Sequence, residues 1–119
     1  MSNKIFILED DEPNKELYKV IFDDYQFEFS ETVEEALERY EEEEFEGVLI
    51  DRRLEGSRNG EAFLEEIDTD NIYSAVVSGL SNTDHPDGEV SDGLFDDYFV
   101  KPFGDNFEDV VEDGMERYI

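Results

Sequence analysis

Short apolar runs alternate along the chain with stretches in which apolar residues recur every three or four positions. The clear runs are Lys4–Leu8, Gly47–Ile50, Tyr73–Val77 and Tyr98–Val100, and a weaker run covers Phe27–Phe29. Apolar runs of this length, bounded by charged residues or glycine, are typical of strands that are buried on both faces of a sheet. The pattern therefore predicts five strands.

The segments between these runs have helical periodicity. Pro13 stands where a first helical turn tolerates proline, and Leu17, Val20 and Ile21 are predicted to form the apolar stripe of the first helix. Thr32, with an acid three positions later, is predicted to cap the second helix. The apolar residues predicted for the later helices are Val33, Ala36, Leu37, Tyr40, Ala62, Phe63, Ile67, Phe107, Val110, Val111, Met115 and Tyr118. Strands that alternate with amphipathic helices predict an α/β fold: a doubly wound parallel sheet with helices on both faces.

Polar residues stand directly at the carboxyl ends of the predicted strands. They are Glu9 and Asp10, Asp51, Ser78 and Lys101. Carboxyl ends of parallel strands line the ligand crevice of such sheets, so these groups are expected to converge. The acids could simply be surface carboxylates. If they do converge, each raises the pKa of its neighbours, and a hard divalent cation such as Mg²⁺, Mn²⁺ or Ca²⁺ relieves the repulsion.

Lys101 is the only lysine in the last hundred residues, and it follows an apolar run directly. A cation held by carboxylates keeps open positions for phosphoryl oxygens, and a fixed amine can neutralise the remaining charge. Spacing alone equally allows a lysine that extends from a strand end into solvent.

Composition limits the class of protein and of partner. The 119 residues fit one domain, and 36 acids against nine bases give a formal net charge of -27. Such a surface disfavours direct contact with nucleic acid and is the pattern of a protein that works in high salt; the alternative is an acidic surface for a basic partner. Without an apolar run of about 18 residues or a signal peptide, a cytoplasmic location is the expectation. The absence of cysteine excludes disulfides and thiolate metal sites.

Four motifs together resemble the receiver domain of two-component response regulators along the whole chain. They are ILEDDEP after the first strand, VLIDRRLEGSRNG around the third, VVSG after the fourth and DDYFVKPF around the fifth. The resemblance implies a single receiver domain over residues 1–119 with a CheY-like, flavodoxin-like sheet of order 2-1-3-4-5. It also implies a phosphoryl group transferred from a histidine kinase, a phosphotransfer protein or a small phosphodonor to an aspartate.

Carried over residue by residue, the resemblance makes Asp51 the phosphoacceptor. The acid pair of the family falls on Glu9 and Asp10, and the alternative register places it on Asp10 and Asp11. The implied cofactor is Mg²⁺, with Asp10, Asp51 and the backbone carbonyl of Arg53 as ligands and Glu9 acting through a water of the ion.

The remaining site residues also follow from the resemblance. Lys101 and Ser78 would contact oxygens of the phosphoryl group. Ser78 and Tyr98 would form the switch, in which the hydroxyl moves toward the phosphoryl group and the aromatic ring turns inward. Residues Ser81–Gly93 depart from the family pattern, because Val90 is their only aliphatic residue and Pro86, Gly88 and Gly93 interrupt a helical stripe. The fourth helix of the family is therefore expected to be short, displaced or missing.

Three functions fit these expectations. The leading one is a stand-alone, Mg²⁺-dependent phosphoacceptor that catalyses its own aspartyl phosphorylation and dephosphorylation and changes its binding to a downstream protein. The second is a pseudo-receiver that is not phosphorylated and serves as an acidic interaction module. A metal-dependent phosphatase or hydrolase is third, since the sequence offers no additional acid or base for such chemistry.

Overall fold

A computed structural model describes residues 4–52, 59–69, 71–84, 88–90, 92–101, 103–104 and 106–118. The strands are β1 (Lys4–Leu8), β2 (Gln26–Ser30), β3 (Gly47–Asp51), β4 (Tyr73–Ser78) and β5 (Asp97–Val100). The α-helices of the described residues are α1 (Glu12–Ile21), α2 (Val33–Tyr40), α3 (Glu61–Glu66) and α4 (Phe107–Glu116). The strands form one parallel sheet in the order β2-β1-β3-β4-β5, which confirms the predicted fold class. Among the described helices, none has the length and apolar character needed to cross a membrane.

Side chains alternate between the two faces of each strand and build two separate cores. On one face, β1 contributes Ile5 and Ile7 to a cluster completed by α1 and α4. On the other face, β1 contributes Phe6 and Leu8 to a cluster completed by α2 and α3. Because every interior strand is buried on both faces, apolar runs, and not alternating patterns, mark the strands in the sequence.

The inward face of α1 differs from the prediction. Tyr18 and, just beyond the helix, Phe22 are buried, and Ile21 is partly buried against the same core. Leu17 is 42% exposed and Val20 is 75% exposed, so the predicted stripe is wrong at these two positions. The physical reason is the partner surface, because Tyr18 and Phe22, four positions apart, both pack against the aromatic ring of Phe107 in α4.

The other helices follow the prediction more closely. Thr32 caps α2 by accepting a hydrogen bond from the backbone N–H of Glu35 at 3.2 Å. The predicted residues that are fully buried are Val33, Ala36, Phe63, Phe107, Val111 and Met115. Tyr118 is an exception: it lies beyond the end of α4, is 36% exposed, and donates a hydrogen bond from its hydroxyl to Asp96.

The segment between β4 and β5 contains no α-helix within its described residues. Two 3-10 turns, Asn82–Asp84 and Asp92–Leu94, stand where receiver domains carry their fourth helix. The expectation of a short or irregular helix is confirmed. The cause is visible in the sequence, since Val90 is the only aliphatic residue within Ser81–Gly93, and it is buried.

Candidate functional site

The parallel register brings the strand ends to one edge of the sheet. Asp51 pairs with Val77, and the next residue of that strand, Ser78, pairs with Val100. Lys101 then donates its backbone N–H to the carbonyl of Ser78 at 2.8 Å. The backbone of adjacent strands therefore fixes the positions of the aspartate, the hydroxyl and the amine.

Three carboxylates meet at this edge. Glu9, Asp10 and Asp51 each offer an oxygen atom within 4.8 Å of the others. Glu9 is fully buried, and its Oε2 atom accepts the backbone N–H groups of Asp10 at 3.2 Å and Asp11 at 3.4 Å. A cluster of oxygen donors without histidine or cysteine suits a hard divalent cation such as Mg²⁺, so the residues present fit the metal that the sequence implies.

The amine of Lys101 lies over these carboxylates. Its Nζ atom is 3.0 Å from Oδ2 of Asp51 and 3.4 Å from Oε1 of Glu9. The side chain does not extend away from the site into solvent. Among the described residues the amine contacts two of the three carboxylates, and oxygen donors gathered this closely are the electrostatic condition that favours a cation.

The buried charges shift each other's pKa. Burial, the hydrogen bond to Asp51 and the charge of Asp51 raise the pKa of Glu9 to about 8, and the opposing effect of Lys101 is smaller. Burial works to lower the pKa of Lys101, but attraction to Asp51 and Glu9 outweighs it and the pKa of the amine is raised. The metal-free cluster therefore holds an additional proton near neutral pH, which a bound cation would displace.

The two predicted switch residues meet at Leu80. Ser78 is buried, and its Oγ atom accepts the backbone N–H of Leu80 at 3.2 Å. The hydroxyl of Tyr98 donates to the carbonyl of Leu80 at 3.0 Å. Hydrogen bonds thus connect the two side chains through one intervening residue.

Of the two other predicted positions, one has a different role and one is not described. Asp11, the second acid of the alternative register, is exposed and caps α1 by accepting the backbone N–H of Asn14 at 3.2 Å. Arg53, whose carbonyl was predicted to be a metal ligand, lies outside the described residues.

Sequence reasoning missed two residues beside Asp51. Arg52 is 1% exposed and lies on the opposite face of the sheet from Asp51. Gly60 packs so closely that a Cβ atom there would lie 2.1 Å from the carbonyl oxygen of Asp51, and its N–H donates to the carbonyl of Arg52. The available signal for Arg52 was an arginine following a buried strand in a chain with nine bases.

No protein-family model matches this sequence, and no curated protein matches it at a significant level. Solved structures do match its fold. A CheY-like response regulator receiver domain from Methanospirillum hungatei has a TM-score of 0.82 at 21% identity, covering 99% of this chain and 97% of that one. A CheY-like receiver domain from Methylobacillus flagellatus has a TM-score of 0.78 at 20% identity, covering 97% of this chain and 99% of that one.

A third neighbour is the receiver domain of a sensor histidine kinase from Pseudomonas aeruginosa, a structure with magnesium coordinated in its active site cleft. Its TM-score is 0.79 at 14% identity, covering 98% of this chain and 99% of that one. These likenesses extend over nearly the whole chain in both directions. The protein therefore has the fold of the CheY-like response regulator receiver domains.

Proposed function

We propose that residues 1–119 form a response regulator receiver domain that accepts a phosphoryl group on Asp51. The observation that carries this proposal is the position of the Lys101 amine, 3.0 Å from Asp51 Oδ2 at an edge shared by three carboxylates. A structural ion pair would need neither the second nor the third carboxylate. Acceptance of a phosphoryl group uses all of them.

The chemistry asks little covalent work of the protein. An oxygen of Asp51 attacks phosphorus, a P–O bond forms, and the P–N bond of a phosphohistidine or the P–O bond of a small phosphodonor breaks. The leaving group departs with the bonding electrons and takes up a proton. The chain's own contributions are to hold Asp51 in line with the donor and to place the charge of Lys101 beside the transferred group.

Glu9, Asp10, Asp51 and the carbonyl of Arg53 would hold Mg²⁺. When bound, this ion supplies positive charge to the phosphoryl oxygens. The involvement of Asp11 in the cap of α1 supports the assignment of the acid pair to Glu9 and Asp10. Ser78 would hydrogen-bond a phosphoryl oxygen, and Tyr98 would respond through the contacts that both residues make with Leu80.

The proposed partners are a sensor histidine kinase or phosphotransfer protein upstream and a protein target downstream. A charge of -27 argues against direct binding to nucleic acid. The same charge supports a protein that works in high salt. Dialysis from molar KCl into dilute buffer is expected to lower its melting temperature, because unscreened carboxylates repel. An unchanged melting temperature would remove this part of the proposal.

Incubation with acetyl phosphate and Mg²⁺ in molar KCl tests the function, with intact mass as the readout. The wild type is expected to gain one phosphoryl group, and Asp51→Asn is expected to gain none. Failure of the folded wild type to gain the group would favour the unphosphorylated interaction module.

A matched pair of variants tests the register of the acid pair. Asp10→Asn is expected to lose the Mg²⁺-dependent formation of the adduct, because a metal ligand is removed. Asp11→Asn is expected to keep it, because asparagine caps a helix as well as aspartate does. Loss of the Mg²⁺-dependent adduct in Asp11→Asn would assign the metal to the alternative pair, to which Asp10 also belongs.

A further inference from the structure

The side chain of Arg52 is the largest that is fully buried among the described residues. It follows Asp51 directly and points to the opposite face of the sheet, because side chains alternate along β3. A buried guanidinium is costly unless its donors are matched. The partners of Arg52 therefore show what holds it there.

These partners come from three separate parts of the chain. The Nε atom pairs with Oε1 of Glu61 in α3 at 3.4 Å. The Nη1 atom donates to Oδ1 of Asn82 at 3.0 Å, and Nη2 donates to the carbonyl of Gly88. Gly88 has a φ of 94°, a conformation that glycine adopts without strain, so a larger residue there would disturb this carbonyl.

Asn82 extends the connection to Val90. Its Nδ2 atom donates to the carbonyl of Val90 at 2.8 Å, and its Oδ1 atom accepts the N–H of Val90 at the same distance. Hydrogen bonds that begin at Arg52 thus hold described residues of the β4–β5 segment (79–84, 88–90 and 92–96) against the sheet. An amphipathic fourth helix would use an apolar stripe for the same purpose.

Arg52 also reaches the hydrogen bonds that start at Ser78. Its Nη1 atom donates to the hydroxyl of Tyr98 at 3.4 Å. That hydroxyl donates to the carbonyl of Leu80, whose N–H donates to Oγ of Ser78. A path of hydrogen bonds and the backbone of one residue, Leu80, therefore connects the hydroxyl of Ser78 with the β4–β5 segment.

We propose that Arg52 is a positioning residue that fastens the β4–β5 segment to the sheet and couples it, through Tyr98 and Leu80, to Ser78. The fastening of the segment by Arg52 does not depend on the proposed function. The coupling rests on the proposed function, because it requires a phosphoryl group or its mimic to draw on the Ser78 hydroxyl. The segment at Gly88–Val90 would then be the part of the surface that responds to occupancy of Asp51.

Hydrogen exchange at the amide of Val90, measured on the full chain in molar KCl, tests the fastening. Arg52→Met removes the guanidinium while keeping an unbranched apolar side chain, and Arg52→Lys keeps the charge but loses the planar fork. Both are expected to speed exchange at Val90 by at least about tenfold, because the hydrogen bonds of the charged guanidinium that hold Asn82 and Gly88 are lost. Arg39→Met, at an arginine side chain that is 45% exposed, is the matched control and should leave Val90 unchanged.

Amides of β3 and β4 report whether a variant has lost its global fold. Unchanged exchange at Val90 in Arg52→Met, with these strand amides intact, would overturn the proposal. Full protection of the Val90 amide in Arg52→Lys would also overturn the proposal, because a positive charge without the planar guanidinium would then be enough to fasten the segment. If Arg52→Met does not fold, Arg52→Lys and Arg39→Met still decide the question.

Beryllofluoride with Mg²⁺, a mimic of the phosphoryl group, tests the coupling. In the wild type it is expected to change exchange at Val90, and in Tyr98→Phe, which lacks the bridging hydroxyl, this change should be lost. Binding of the mimic without any change at Val90 would overturn the coupling. If the mimic does not bind, the proposed function and the coupling fail together, while the exchange rates of the Arg52 variants still decide the fastening.

Discussion

Asp51 and Arg52 are consecutive residues at the end of β3, yet the clusters around them differ in their balance of charge. On one face, three carboxylates converge and the Lys101 amine pairs with two of them. On the other, the Arg52 guanidinium is matched by the carboxylate of Glu61 and by neutral acceptors. The difference separates two uses of buried charge. A cluster of convergent carboxylates can take up a cation, whereas a guanidinium matched by acceptors holds neighbouring segments in place.

Removal of Arg52 is expected to have the largest effect on stability. Arg52→Ala should lower the free energy of unfolding by about 3–5 kcal/mol, because it leaves a cavity and removes the cation that pairs with the partly buried carboxylate of Glu61. Urea denaturation in molar KCl measures this loss. Lys101→Met, assayed without metal, should cost less, since that amine is partly exposed and faces carboxylates that can take up a proton. Equal losses would show that the two clusters do not differ as described.

Gly60 lies at the boundary of the two clusters. Gly60→Ala should destabilise the protein by about 1–3 kcal/mol, because its Cβ atom would displace the carbonyl of Asp51 or the start of α3. Gly79→Ala is the control, since a Cβ atom there meets no atom within 4 Å, and a change within about 0.5 kcal/mol is expected. Similar denaturation midpoints for both variants would contradict the close approach at Gly60.

The pH dependence of stability should reveal the buried carboxylate cluster around Asp51. Glu9 has a pKa of about 8 in the folded protein and 4.5 as its ordinary value. The folded state therefore binds more protons between these values, and stability should fall as pH rises, by at most about 1.4 kcal/mol per pH unit for one group. Denaturation of metal-free protein in chelator measures this slope. Glu9→Gln should flatten it, and identical slopes in both proteins would contradict the shifted pKa.

The sequence predicts which polar residues meet at the edge of the sheet, because apolar runs mark where the strands end. The parallel register then brings those ends together. The prediction of the buried face of α1 fails at Leu17 and Val20, because both faces of this helix carry apolar residues. Only the packed structure shows that Tyr18 and Phe22 fit against Phe107 of α4. Prediction from the sequence fails for Arg52 as well. Burial of that side chain depends on acceptors that are 30 and more positions away, which local spacing does not encode.

The most direct test of the central claim is to identify the residue that carries the phosphoryl group. Protein treated with acetyl phosphate and Mg²⁺ is reduced with borohydride, which converts an aspartyl phosphate to homoserine, and the modified peptide is sequenced by mass spectrometry. The account predicts homoserine at position 51 in the wild type and in Asp11→Asn. Homoserine at another position, or none in a folded protein that has bound Mg²⁺, would contradict it.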